Sequence, residues 1–153
     1  MSPKNVLLID SRENMHSAIQ NSLEASDHHI DESVPHFFGA IRLLNDNGLK
    51  EVDAVILSDH LGSVVEQSDF PCSHSMTIIK KIGEILADQE STDPIFVLTP
   101  LPKFEYVKVK IRGRNTSERH EIDMENDNNI VLIDFDASNV EDMEHLPEIL
   151  DNL

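Results

Sequence analysis

The chain has 153 residues, with 29 acidic against 12 basic side chains and a formal net charge of −17. A domain of this length buries roughly 70% of its unfolded surface and needs neither metal nor disulfide to fold; the single cysteine, Cys72, has no intrachain partner and no ligand spacing around it, which points to a reducing, cytoplasmic setting. The charge repels phosphate backbones and anionic lipid, no run approaches the ~20 apolar residues of a spanning helix, and residues 1–20 lack a signal-peptide pattern, so neither nucleic acid nor membrane is an expected partner.

Asn5 to Ile9 is a short apolar run closing at Asp10-Ser11, the pattern of a buried parallel strand. Met15, Ile19 and Leu23 then fall at helical spacing, with Ser11 as the expected N-cap and a fade at Ser26-Asp27. His29 to Ser33 is polar and suits an edge strand. Pro35 is placed in the first turn of a second helix, with Phe37, Phe38, Ile41 and Leu44 as its apolar stripe and Asn47-Gly48 as its stop. Val52 to Leu57 reads as a central strand ending at Ser58-Asp59-His60.

Leu61 to Ser75, with Gly62 and Pro71, is expected to be a loop, longer than most connections within a domain. Ser75 caps a helix carrying Met76, Ile79, Ile82 and Leu86 on one face, and Pro94 opens the strand Ile95 to Leu98, closed by Thr99-Pro100. Phe104 to Arg112 alternates, Val107, Val109 and Ile111 against Lys108, Lys110 and Arg112, as a strand does. Turn residues at 113–116 and a weaker alternation from Arg119 to Met124 make a β-hairpin, bounded at 103–125, the economical reading. Ile130 to Ile133 is the last strand, and a final helix buries Val140, Met143, Leu146, Ile149 and Leu150.

Alternating strands and helices joined by right-handed crossovers predict one doubly wound α/β domain over 1–153: a five-stranded parallel sheet, order 2-1-3-4-5, with the hairpin inserted between strands 4 and 5. Its working crevice lies beyond the carboxyl ends of the strands. That gathers Asp10, Asp59, Thr99 and Asp134 or Asp136. No His-x-x-x-His or Cys/His grouping, glycine-rich phosphate loop or serine elbow competes with this site.

These residues resemble the receiver domains of response regulators, which share this fold and place their sites at these strand ends. In that family the first strand ends in two acidic residues that hold magnesium; LLIDSRE offers Asp10 and then Ser11. The resemblance makes Asp59, in Val55-Ile-Leu-Ser-Asp59, the candidate phosphoacceptor, with Ser58 the other residue that fits the position. Thr99 in FVLTP matches the residue that contacts the phosphoryl group. Asp10 and Asp59 are then the candidate ligands for Mg2+, with Asp134 or Asp136 as an extra carboxylate; the plainer reading is that all are solvated strand-end residues. The family's lysine and proline after the fifth strand are replaced by Asp134-Phe135-Asp136. An aspartate there repels a phosphoryl group carrying nearly two negative charges, so the phosphorylation switch is expected to be impaired.

Six of the twelve basic residues, Lys103, Lys108, Lys110, Arg112, Arg114 and Arg119, fall within the hairpin stretch. Receivers dimerise and dock targets on this side, so Lys108, Lys110, Arg112 and Arg114 are candidates for gripping an acidic signalling protein or a second copy of the chain. The alternative is a solvated strand edge that charge protects from aggregation. The expected function is a non-enzymatic, receiver-like signalling module acting by protein contact. Two other functions remain in view: a working receiver phosphorylated on Asp59 by a histidine kinase with Mg2+, and a structural or assembly domain.

Overall fold

In a computed structural model of the chain, residues 3–58, 73–89, 93–100, 104–111, 114–121 and 130–153 are described. The elements in chain order are β1 (Asn5–Ile9), α1 (Met15–Leu23), β2 (His29–Val34), α2 (Phe37–Asn47), β3 (Ala54–Leu57), α3 (Ser73–Asp88), β4 (Ile95–Thr99), β5 (Phe104–Ile111), β6 (Arg114–Glu121), β7 (Ile130–Asp134) and α4 (Val140–Asp151). Five strands form one parallel sheet in the order β2-β1-β3-β4-β7, the doubly wound order read from the sequence, with β7 as its fifth strand.

The central strands are apolar throughout because helices cover both faces. Leu7 and Ile9 of β1, Val55 and Leu57 of β3, and Ile95 and Val97 of β4 pack with Ala40 and Leu44 of α2 and with the isoleucines of α3. Their alternating neighbours Val6, Leu8, Ala54, Ile56 and Leu98 pack instead against Ile19 and Leu23 of α1 and Leu146 and Leu150 of α4. Period-two alternation thus sends each strand's side chains into two separate cores.

Several boundaries move from their expected places. Ser11 does not cap α1; Asn14 is the N-cap, without a side-chain hydrogen bond. The cause lies one residue earlier, where the Asp10 carboxylate accepts the Arg12 backbone N–H at 2.9 Å and holds residues 10–12 in a turn. Pro35 precedes α2 rather than opening it, and His36, at φ −126°, is the N-cap. A proline disfavours helical backbone before it, so β2 runs on to Val34, which pairs with Ile9. Phe38 leaves the stripe: it is 56% exposed and meets Phe37 edge-on at 5.2 Å. The α2 face that is buried runs through Ala40 and Leu44 instead, with Phe37 and Ile41 packed beside them.

Val140, the first residue of α4, is likewise 73% exposed, before the helix reaches the sheet. The loop expected over Leu61 to Ser75 lies outside the described residues up to 72, and 73–75 belong to α3. Polar residues suit that first turn, whose N–H groups have no intrahelical acceptor.

Pro147 sits inside α4. It has no N–H, so the carbonyl four residues back, Met143, loses its helical donor. The Ser22 hydroxyl of α1 donates to that carbonyl at 2.7 Å. Ser22→Ala is expected to cost about 1 kcal/mol in urea unfolding; an unchanged midpoint would mean that the contact contributes nothing net.

Between β4 and β7, β5 and β6 pair antiparallel, with Ile111 opposite Arg114, Lys110 opposite Asn115, Lys108 opposite Ser117 and Tyr106 opposite Arg119. Residues 114–116, read from sequence as turn, are therefore strand, because continuous ladder pairing outweighs the turn preference of Asn115. β6 ends at Glu121. Arg112 and the remainder of the 103–125 stretch lie outside the described residues.

Candidate functional site at the carboxyl ends of the strands

Backbone hydrogen bonds carry the ladder just past the strands and set the site residues side by side. The Asp10 N–H donates to Val34 O at 3.2 Å, the Ser58 N–H to Ile9 O at 3.0 Å and the Phe135 N–H to Thr99 O at 3.1 Å. Asp10, Ser58 and Thr99 are all buried despite their polarity, at 4%, 4% and 1% exposure. Burying a carboxylate is costly unless it is paired and hydrogen-bonded. Arg12 meets that need.

The Arg12 guanidinium grips Asp10 side-on: Nε donates to Oδ1 at 3.0 Å and Nη2 to Oδ2 at 2.7 Å, while the Arg12 backbone N–H adds a second bond to Oδ1. Such a two-point, charge-assisted pair is the strong form of the arginine–carboxylate interaction. The same guanidinium reaches two other loops. Its Nη1 donates to the Ser138 hydroxyl, just before α4, and its Nη2 approaches the Ser58 hydroxyl after β3 at 3.5 Å. The Asp10 side chain is fully buried and that of Arg12 is 28% exposed. One side chain therefore ties together the ends of β1, β3 and β7.

The two aspartates after the last strand have separate positions. Asp134, opposite Thr99 in the β4–β7 register, is exposed. Asp136 is committed to its own loop: its Oδ1 accepts the Ser138 N–H at 2.8 Å and its N–H donates to Asp142 Oδ2 at 2.9 Å. Asn139 accepts the Asp142 N–H and caps α4, whose first turn carries Glu141 and Asp142, favourably placed at the positive end of the helix. Between the two acids Phe135 is 1% exposed and enters the core against α1 and α4.

Of the sequence-derived candidates, Asp10 and Thr99 do lie at the sheet's carboxyl edge. Asp59, the phosphoacceptor and second metal candidate, lies outside the described residues, as does His60. Lys108, Lys110 and Arg114 are placed only by the backbone register of β5 and β6, which sets 108 and 110 on one side of the ladder and 114 on the other. Sequence reasoning passed over Arg12. Its signal was a basic residue two positions after a strand-end aspartate, in a chain with few basic residues.

His28 is a buried structural residue. Its Nδ1 accepts the Lys4 backbone N–H at 2.9 Å, which leaves Nε2 as the nitrogen that donates to Asp151 Oδ1 at 2.6 Å. It ties the chain ahead of β1 to the end of α4.

Receiver domains hold magnesium, and the described residues do not fit that ion. Both Asp10 oxygens are taken by Arg12, and no group of three or more His, Cys, Asp or Glu side chains converges among the described residues. The crevice lined by Asp10, Arg12, Ser58, Pro100, Phe135 and Asp136 has about 10 Å3 of free volume. That is room for about one water, whereas magnesium keeps several.

The sequence matches no protein-family model and no curated protein. Among solved structures, the response regulator domain of Thermotoga maritima CheB aligns over 99% of this chain and 93% of its own, at 12% identity and a TM-score of 0.53. A response regulator receiver domain from Clostridium thermocellum aligns at 19% identity over 63% of this chain and 64% of its own, TM-score 0.43. The isolated receiver domain of RcsB from Salmonella enterica serovar Typhimurium aligns at 15% identity over 65% and 64%, TM-score 0.40, so this chain spans under two thirds of the latter two. No helix among the described residues is long and apolar enough to cross a membrane. With its five parallel strands in the order β2-β1-β3-β4-β7 and an end-to-end match to a receiver of known structure, the chain has the fold of response-regulator receiver domains.

Proposed function

We propose that this chain is an atypical receiver-like module of two-component signalling that acts by contact with a protein partner and runs no magnesium-dependent phosphorylation cycle. The observation that carries this reading is the two-point pairing of Arg12 with Asp10, the acid that the family's magnesium site would need. The exposed Asp134 at the end of β7 adds to it, since no lysine there is available to pair with a phosphorylated aspartate. The protein works in a soluble setting and its catalytic role, in this reading, is nil.

The partner surface is assigned to the β5–β6 hairpin. Half of the chain's basic residues fall at 103–119 in a protein of net charge −17, a segregation that favours an acidic partner. A second copy presenting its acidic side satisfies the same chemistry.

The test is phosphorylation by acetyl phosphate with Mg2+, read by intact mass, with Asp59→Asn as control. The expected result is no phosphoprotein above the control, while Lys108→Glu with Lys110→Glu weakens self-association or partner capture. Stoichiometric phosphorylation abolished by Asp59→Asn would replace this reading with that of a working phosphoacceptor. Unchanged association in the lysine variant would remove the hairpin from it.

A further inference from the structure

The Arg12 guanidinium meets the electrostatic need of the fully buried Asp10 carboxylate. We propose that Arg12 is a resident counter-ion: it fills the cation position of the crevice and locks the ends of β1, β3 and β7 together, and its removal opens a divalent-metal site on Asp10. This rests on the reading that no metal-dependent cycle runs here, and deepens it by naming the residue responsible.

The argument is one of charge and geometry. A fully buried carboxylate requires a cation, and a metal and a guanidinium compete for the same two oxygens. Arg12 lies two residues from Asp10 and already donates its backbone N–H to it, so the guanidinium is tethered at very high local concentration. A free divalent ion would have to displace it, shed water and fit a space of about 10 Å3. Removing the arginine changes each of these terms at once. It frees Oδ2, leaves Oδ1 with only the backbone N–H of residue 12, and vacates the volume of a long side chain beside Ser58 and Ser138, so that a buried negative charge loses its cation.

The lock follows from the other ends of the same side chain. A metal ion exchanges with solvent and makes a site switchable; a covalently attached guanidinium does not leave. The loop after β1, Ser58 after β3 and Ser138 before α4 are thereby held in one arrangement.

The test is thermal unfolding of wild type, Arg12→Ala and Arg12→Lys with increasing Mn2+ or Mg2+, alongside Mn2+ broadening of amide NMR signals in wild type. Wild type is expected to show no saturable rise in Tm and no selective broadening at Asp10, Arg12 and Ser58. Arg12→Ala is expected to gain about 5 °C at saturating metal, with an apparent affinity at least ~10-fold above wild type. Arg12→Lys, which keeps a cation on the tether, gains nothing, and neither does the double variant Arg12→Ala with Asp10→Asn. Selective Mn2+ broadening at Asp10 in wild type overturns the inference without requiring any variant to fold. A folded Arg12→Ala with no metal response also overturns it, yet leaves the functional reading standing. Phosphorylation of wild type on Asp59 overturns the functional reading instead.

Discussion

Arg12→Ala is expected to destabilise the protein by about 3 kcal/mol, and Asp10→Asn by only about 1 kcal/mol, although both break the same ion pair. The asymmetry comes from burial. The Asp10 side chain is fully buried, so without its arginine a carboxylate is stranded away from water. Arg12 is 28% exposed, so without its carboxylate the guanidinium can turn to solvent. An asparagine at position 10 also still accepts the Arg12 backbone N–H and keeps the turn that precedes α1. Partial exposure of the arginine places the larger cost near the lower end of what a broken buried pair costs. Urea unfolding of the two variants measures both numbers. An Asp10→Asn cost equal to or above that of Arg12→Ala would show that the acid, not the base, is the better solvated partner.

Phe135→Ala is expected to cost about 4 kcal/mol. Phe135 is 1% exposed and is the largest side chain in the core shared by α1 and α4, where Leu8, Ile19, Ile56, Leu98 and Leu146 are also fully buried. Removing it leaves a cavity among side chains drawn from five separate elements, none of which can close alone. The loss should also reach the site. Phe135 stands between Asp134 and Asp136, and its N–H donates to Thr99 O, so its packing sets the direction in which the chain leaves β7 toward Ser138. Slowed amide exchange at Phe135 in wild type should be lost in Phe135→Ala, while Phe135→Leu keeps most of the stability by filling much of the volume. A cost under about 1.5 kcal/mol would mean that the sheet edge collapses onto the gap.

The two predictions bear on one another. Arg12 holds the crevice from the β1 side through charge; Phe135 holds it from the β7 side through apolar burial. Ser138 joins them, since it accepts from Arg12 and its backbone N–H is fixed by Asp136. The two acids that flank Phe135 are thus not equivalent to one another: Asp134 faces solvent, and Asp136 builds the loop that leads into α4.

The sheet was legible in the sequence because its strands are short, continuous apolar runs closed by polar residues, and that pattern depends only on each strand's own composition. Alternation along β1 and β3 sends side chains to both faces, and the apolar spacing of α1, α3 and α4 supplies what covers them. Asp10 and Thr99 were legible for a related reason, since a polar residue ending a buried strand must lie at the sheet's edge. Helix starts were less legible. Ser11 has the composition of an N-cap, but the Asp10 carboxylate claims the Arg12 N–H first, and Pro35 yields to a strand pairing that persists through Val34.

What local pattern could not contain is which side chain meets which across the fold. The bond from Ser22 to Met143 answers a proline on another helix, the contact of His28 with Asp151 spans 123 residues, and the reach of Arg12 to Ser138 spans 126. Within the single stretch LLIDSRE, composition offers an acid, a hydroxyl and a base with no order of importance among them. Folding buries Asp10 completely, and the desolvation of that one carboxylate is what selects Arg12 as its partner. Composition and periodicity thus determined the receiver-like sheet and the edge at which its site lies, because both follow from local chemistry. The tertiary structure alone decided that the Asp10 carboxylate is met by the Arg12 side chain, because only burial makes that charge require a partner.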